Sequence, residues 1–457
     1  MVFKFWKDKT NIHVMSIFEM IVLFLYIFLS TFEIYLAPLI GNYTKYLMIL
    51  LIAFFGFIDL FKKQMRFTTG SAYILLWLGL KLVSIIWGGY NDIIDLHWIS
   101  QVGFGMFLFS YTCHSYRKQD VNKILFMFWF VSLIFNLLSL IFKEPYNVVY
   151  TSRNVLTLFG QQNDPNNCAA FSLVGVGISL YCMFYKKKYF ITNTVSTVLG
   201  SLAIIFSGSR GGLIALTVLV FICFFIRKPF DKWTIVLRVC VFAMICSVFI
   251  IVALKILPAS TIKRLTDLSG DGGSGRVYLW AKAFELFESR PILGAGWGTA
   301  TKYGKMFETA VHNTFLSMMA ENGIVSLLLF LGVAGFATVK SLKKKDPFEL
   351  IVCVSALVPA LFIDSINKRF IWNGIVLAYI IYNSIKPVST EKQVEELREL
   401  TQFVPVLCFG LLTNFQSKLF ENHDCFLFNN TMRHENNTPY IPVYNKDFQI
   451  KDHHYIY

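Results

Sequence analysis

Three short stretches of this chain carry residue types that could handle an anion and a proton. Ser207-Gly208-Ser209-Arg210-Gly211-Gly212 places an arginine at the start of an apolar run. If that run is a helix, Arg210 adds a fixed cation to the free N–H groups and positive dipole end, an arrangement suited to phosphate oxygens. Gly275-Arg276 repeats the pattern ahead of a second helix-like segment. His312-Asn313 opens a third, and imidazole is the usual proton acceptor near neutral pH. Each has a plainer reading. Arg210 could anchor a hairpin at an interface, the segment after Arg276 could be a loop helix packed on the surface, and His312 could cap or hydrogen-bond a loop.

Further polar residues need placing. Lys81 falls near the middle of the apolar run 71–87, and an intramembrane cation is expensive enough to be a functional candidate by default. A buried pair with a carboxylate of a neighbouring span, such as Glu33, accounts for it equally well. Val277, Trp280, Ala281, Phe284 and Phe287 recur at helical spacing, so the segment can lie flat on the membrane until Pro291, after Arg290, ends it. In Pro291–Thr299 (PILGAGWGT), Gly294, Gly296 and Gly298 permit close backbone approach or positive φ. This run is not a dinucleotide fingerprint, because the spacing is wrong and no strand precedes it. Asp364 and Arg369 flank a turn and read as interfacial residues.

The elements that must position these groups are apolar helices. The chain has 457 residues, of which 55% are hydrophobic and only 15% charged, against about 25% charged in soluble domains. Apolar runs at 15–36, 46–61, 71–87, 97–112, 124–142, 167–185, 191–207, 212–226, 235–257, 315–339, 348–363 and 370–385 predict an all-α polytopic membrane protein of about 12 transmembrane helices. The net charge of +14 sits in short turns rather than in a nucleic-acid-binding stripe. Lys62, Lys63 and Arg66; Arg117, Lys118 and Lys123; Lys186 to Lys188; Arg227, Lys228 and Lys232; and Lys340 with Lys343 to Lys345 all fall on one side when the N-terminus is inside. Both termini are then cytoplasmic. The basic start MVFKFWKDKTNIH has no small-residue cleavage site and reads as the lead-in to a retained first span. Nine cysteines without a CxxC pair indicate neither a disulfide framework nor a zinc site.

This topology divides the chain into a membrane domain, 1–385, with a large external loop at 258–314, and a cytoplasmic tail, 386–457, to which no function is assigned. Arg153, Asn163-Asp164-Pro165-Asn166, Arg210, the Gly270–Gly323 stretch and Asn367-Lys368-Arg369 all fall outside. Nucleotides are absent from that side, so a reaction there needs a pre-activated substrate.

The ordered set SGSRGGLIAL, GRVYLWAKAFELFESRPILGAGWGT and VHNTFLSMMAENGIVSLLLFLG, with QQNDPNNCAAF before it, resembles the O-antigen polymerase/ligase family. That family comprises integral membrane glycosyltransferases, among them Wzy-type polymerases and WaaL-type ligases, and the resemblance covers about 190 to 340. It implies a GT-C-like membrane fold with short helices in the external loop. It also implies metal-independent, inverting transfer of a glycan from undecaprenyl diphosphate on the extracytoplasmic face of the bacterial inner membrane, without a cofactor. By the resemblance, Arg210 and Arg276 match diphosphate-contacting arginines, and His312 matches the histidine of the large external loop. The expected catalytic set is therefore His312, Arg276 and Arg210, and the expected substrate contacts are Arg290, Asn313, Arg153, Arg369, Trp280 and Lys81. The implied partners are the undecaprenyl-diphosphate-linked oligosaccharide, the lipid bilayer and a chain-length regulator. Three functions follow as expectations: a repeat-unit polymerase, a ligase that moves the finished glycan to a lipid core or protein, and a lipid-linked oligosaccharide flippase. The flippase would distribute its polar residues along a path through the membrane; here they gather on one side, Lys81 excepted.

Overall fold

The computed structural model describes residues 12–41, 43–62, 67–88, 96–146, 153–187, 189–226, 232–256, 276–300, 311–343, 346–364 and 366–385, with the isolated positions 259 and 262. The N-terminal lead-in 1–11, the turns at 63–66, 89–95, 227–231 and 344–345, the loop segments 263–275 and 301–310, and the tail 386–457 lie outside the described residues. The expectations that fall on those stretches lie outside them too.

Every apolar run coincides with helix. In order these are α1 (Ile17–Ile40), α2 (Thr44–Lys62), α3 (Thr69–Val83), α4 (Ile85–Gly88), α5 (Leu96–Thr112), α6 (Lys118–Ile141), α7 (Pro165–Tyr181), α8 (Phe190–Ser207), α9 (Arg210–Phe225) and α10 (Lys232–Ile256). They are followed by α11 (Arg276–Ser289), α12 (Thr314–Lys343), α13 (Phe348–Ala360) and α14 (Arg369–Tyr382). Among the described residues, six helical stretches are long and apolar enough to cross a membrane: Ile17–Ile40, Thr69–Gly88, Lys118–Ile141, Pro165–Lys186, Phe190–Ser207 and Thr314–Val339. The chain is thus a multi-pass helical membrane protein. The apolar stretches Thr44–Gly56, Arg210–Phe225, Trp233–Val248, Phe348–Ala360 and Arg369–Tyr382 are shorter than the ~20 residues that span a bilayer.

α7 is the central helix, with nearly every residue from Pro165 to Tyr181 buried. Helices α6, α8, α9 and α13 pack around it. Lipid tails supply no hydrophobic drive between helices, so close approach must come from small residues. A Cβ on Gly175 would lie 2.2 Å from Ser132 Oγ, and one on Gly374 would lie 2.4 Å from Ala356 Cβ. A second packing centre joins α3, α5, α12 and α14, where the Trp77 and Trp372 rings are 5.5 Å apart and Phe330 meets Trp372 edge-on.

The structure adds two small sheets to the all-α expectation. β2 (Lys143–Pro145), β3 (Asn154–Leu158) and β4 (Gln161–Gln162) form an antiparallel sheet between α6 and α7. Its tight turn uses Phe159 and Gly160, both at positive φ, as a two-residue hairpin requires. Phe-Gly is not an Asn-Gly signature, which is why the turn is hidden in the sequence. β1 (Tyr116–Arg117) pairs in parallel with β5 (Ser384–Ile385), and His13 bridges to Tyr116 beside it.

One helix is broken. Within α12, Gly323 has φ 70° and ψ −178°, which interrupts the ladder and leaves backbone groups needing partners inside the bundle. The glycine-rich run supplies them. Ala295 and Gly296 donate their N–H groups to the carbonyls of Ala320 and Glu321 (2.9 and 2.8 Å), and the Ile324 N–H donates to Pro291 (2.8 Å). The run also reaches α4: a Cβ on Gly296 (φ 100°) would meet Gly88 Cα at 2.3 Å. Close backbone approach is therefore the reason for these glycines.

Candidate active site

The N-termini of α7 and α9 are tied together. Asp164 caps α7 by accepting from the Asn166 N–H (2.8 Å), and Pro165 fills the first helical position, where its missing N–H costs nothing. Ser209 caps α9, accepting from the Gly212 N–H (3.1 Å), and its hydroxyl donates to Asn166 Oδ1 (2.8 Å). Arg210 is the first residue of α9 and half-buried. Beside it, Gly211 packs so closely on Phe362 that a Cβ would lie 2.8 Å from that side chain.

The turn after α13 is the seat on which the other groups rest. Arg276, first residue of α11, donates from Nη1 to the Phe362 carbonyl (3.0 Å). The Thr314 hydroxyl donates to the Ile363 carbonyl (2.7 Å), and Ser317 donates to Asp364 Oδ2 (3.0 Å). Between these anchors sits His312 with φ 56°, a left-handed conformation uncommon for a histidine and found where surrounding contacts enforce it. Those contacts are visible. Asn313 Oδ1 accepts from the Phe315 and Leu316 N–H groups (3.0 and 3.1 Å), capping α12, and Trp280 Nε1 donates to the Val311 carbonyl (3.0 Å). Asn313 and Trp280, both expected to touch substrate, are placed so that they hold the histidine.

The charges of this region act on one another. Burial lowers the Arg276 guanidinium, Asp164 raises it and Arg210 lowers it further. Burial also lowers the His312 imidazole below its ordinary range; Arg276 and Lys368 push the same way and Asp164 opposes them. Around Arg276 and His312 the described residues thus gather three fixed cations, Arg210, Arg276 and Lys368, against two carboxylates, Asp164 and the Asp364 that Lys368 also faces. His312 is held towards its neutral form, the form that accepts a proton. The arrangement can bind an anion carrying more than one charge and can take a proton beside it.

The remaining candidates divide. Arg153 is buried at the start of β3, and its carbonyl accepts the Tyr146 N–H (2.7 Å). Tyr146 is raised by burial and by Asp164 and lowered by Arg153, so Arg153 approaches the cluster from the sheet side. Arg369 is not merely interfacial: it forms an ion pair with the buried Glu33, which also accepts the Thr44 N–H (3.1 Å). The pairing suggested for Lys81 is corrected accordingly. Glu33 belongs to Arg369, and Lys81 Nζ lies 3.8 Å from Glu321 Oε2. Arg290 is exposed beyond the far end of the fourteen-residue α11 from Arg276. The apolar stripe of that helix also divides: Leu279 and Ala283 form the buried face, while Val277 and Phe284 point outward, about half exposed. Asp164 and Lys368 are not marked as site residues by the sequence. Asn-Asp-Pro is a helix-start signature that marks Asp164 as a cap, and the sequence places Lys368 on the external side without singling it out from its neighbours.

Residues 195–331 match the family described as O-antigen ligase. The match contains Arg210, Arg276, His312 and the glycine-rich run, and supports the O-antigen polymerase/ligase family that those motifs resemble. Asp164, Lys368 and Lys81 lie outside the matched residues. No curated protein matches the chain.

Proposed function

We propose that this chain, with its central segment of the O-antigen ligase family, polymerises lipid-linked oligosaccharide repeat units on the extracytoplasmic face of a bacterial inner membrane. It would span the bilayer twelve times with both termini in the cytoplasm. The growing glycan is transferred from undecaprenyl diphosphate to a hydroxyl of the next lipid-linked repeat. The acceptor oxygen attacks the anomeric carbon from the face opposite the diphosphate, and its bond forms as the carbon–oxygen bond to phosphate breaks. The electron pair leaves with the diphosphate. The hydroxyl proton passes to the neutral His312 imidazole.

The observation that carries this reading is the gathering of Arg210, Arg276 and His312, from three different segments, around the turn at 361–364. The charge that grows on the departing diphosphate is met by cations already in place, so the transition state gains more than the ground state. Arg153 and Lys368 extend the positive field on either side. The outward face of α11, with Val277 and Phe284, rests on the membrane surface beside the lipid carrier.

A ligase that moves the finished glycan to a lipid core or protein acceptor is the second reading, favoured by the family's description as O-antigen ligase. Purified protein mixed with a lipid-linked repeat, with chelator and without nucleotide, decides between them. A ladder of lengths is the expected product. Transfer only to an added core lipid or protein would make the chain a ligase, and carrier movement across liposomes without transfer would overturn both.

A further inference from the structure

Lys81 has no place in the reaction as described, yet it is one of the most completely buried side chains of the molecule. It is 1% exposed, and its ammonium lies 5.7 Å from the centroid of the Trp77 ring and 5.1 Å from that of Trp297. A group sealed between two indoles cannot receive a sugar or a diphosphate. Its ion-pair partner Glu321 is buried as well. Such a pair gains little stability over apolar residues of the same volume, so its persistence calls for another account.

The geometry supplies one. Glu321 stands near the end of the first half of α12, which runs from Thr314 to the break at Gly323. His312 stands two residues before the start of that half, next to its cap Asn313. Nine residues of helix make a stiff rod of about 13 Å, too short to bend appreciably. Its upper end is held by Asn313, by Thr314 on Ile363 and by Ser317 on Asp364. Its lower end is held by the glycine-rich run on the carbonyls of Ala320 and Glu321, and by Lys81. The run is itself moored to the same region as Lys81, because the Trp297 N–H donates to the Ser84 carbonyl (3.2 Å). Ser317 and Glu321 are four residues apart and share a helix face, which places Asp364, Ser317, Glu321 and Lys81 along one polar line from the seat of Arg276 into the bundle. Asp364 is linked to both ends: burial raises its carboxyl, while the Ser317 hydrogen bond and the charges of Lys81 and Lys368 lower it.

We infer that Lys81 is a positioning residue that, through its ion pair with Glu321, fixes the height and rotation of the half-helix Thr314–Asn322 and so sets where His312 meets the acceptor hydroxyl. The inference rests on the proposed role of His312. A displacement of about 1 Å at a reacting group costs on the order of 10²-fold in rate.

The test compares Lys81→Met, Lys81→Arg and the double variant Lys81→Met/Glu321→Gln in proteoliposomes with a lipid-linked repeat. Lys81→Met alone removes the ammonium beside the buried Glu321 carboxylate and is expected to accumulate poorly. The double variant removes both charges and is expected at wild-type level. It should turn over about 10²-fold more slowly with KM within about threefold, and Lys81→Arg should recover most of that loss. An unchanged kcat in the well-folded double variant would overturn the assignment, as would a raised KM at unchanged kcat, the mark of a substrate contact. A second readout needs no turnover. Relaxing the half-helix loosens the burial and the Arg276 field that lower His312, so its imidazole resonance, identified by its loss in His312→Gln, should titrate at higher pH in the double variant. An unmoved His312 titration overturns the positioning role. Failure of every variant and of wild type to transfer glycan overturns the proposed function instead, and the His312 titration then decides by itself whether Lys81 positions the half-helix.

Discussion

The two ends of the helix bundle treat buried charge in opposite ways. At the end where α1 begins, each buried carboxylate faces a partner: His13 Nε2 lies 2.9 Å from Glu19 Oε2, and Arg117 Nε lies 3.0 Å from Asp120 Oδ2. All four side chains are buried. The backbone joins in, with the Met15 N–H donating to Asp120 (3.4 Å) and His13 and Tyr116 bridged beside β1 and β5. At the other end, three cations, Arg210, Arg276 and Lys368, outnumber the two carboxylates, Asp164 and Asp364. The first cluster closes a structure by cancelling charge. The second holds a surplus of one sign, which a fold tolerates only at a cost and an anionic ligand relieves. Burial of charge is common to both ends, so it is the balance of charge that separates a clasp from a site.

The comparison breaks most visibly if arginines at the two ends are exchanged for alanine. Arg276→Ala should lower glycan transfer by about 10³-fold, the scale for removing a preorganised donor to a developing anion, while protein level in the membrane is kept. Arg210→Ala should act in the same way. Arg117→Ala should do the reverse, costing about 3–5 kcal/mol of stability because the buried Asp120 loses its ion-pair partner, with turnover per folded molecule unchanged. Quantifying membrane protein alongside product measures both. Equal losses of protein for Arg276→Ala and Arg117→Ala would erase the distinction.

His312→Ala should cost about 10²–10⁴-fold in kcat, the usual span for a general base. The pH profile gives the sign. Burial, then Arg276, lowers the imidazole below its ordinary range, and the neutral ring is the active form. Activity should therefore persist as pH falls through the ordinary histidine range near ~6.5 and be lost only below it. Arg276→Gln removes one lowering cause, so the acid limb of its residual activity should move to higher pH. An acid limb that stays put would separate His312 from the proton transfer.

Next in size is the glycine-rich run that repairs the break in α12. Gly296→Ala places a Cβ 2.3 Å from Gly88 Cα at a φ of 100°. The positive φ costs about 1–3 kcal/mol, and overlap with backbone that cannot yield adds a similar amount. A lower thermal midpoint in detergent, together with slower transfer, is the expected result, because the same run supports the half-helix behind His312. A wild-type midpoint would mean that the two backbones separate easily.

Much of this is legible in the sequence for physical reasons. Apolar runs long enough for helices stand out, and all twelve fall on helix, because a bilayer forces hydrogen bonds to close within a segment. Arg210, Arg276 and His312 are visible because charged and polar residues at helix starts interrupt such runs. Asp164 stays hidden as a site residue because capping α7 explains an aspartate before proline completely. The sequence points Lys81 to the wrong partner because Glu33 and Glu321 are both carboxylates in apolar runs, and only the break at Gly323 brings Glu321 to it. Glycine at 323 reads in sequence as an ordinary small residue before a span. Its φ of 70° follows from the docking of Pro291–Trp297, a contact between segments that no local pattern encodes.

Arg290 gives the smallest expected effect and the sharpest control. It lies just past the end of α11, which Arg276 begins, and both arginines are among the expected site residues, so sequence alone ranks the two close together. In the fold they part: Arg276 begins the helix and reaches the Phe362 carbonyl, whereas Arg290 follows its last residue with its side chain exposed. Thirteen residues of helix and one beyond separate them by about 20 Å, roughly two Debye lengths at physiological salt. An exposed charge so far away contributes little to the field around Arg276 and His312, and surface substitutions of this kind shift stability by less than about 0.5 kcal/mol. Arg290→Ala should therefore leave kcat and protein level within about twofold of wild type. A loss comparable to that of Arg276→Ala would mean that the glycan or its carrier extends along the whole of α11, and that the surplus of positive charge defining this end is wider than the three cations around His312.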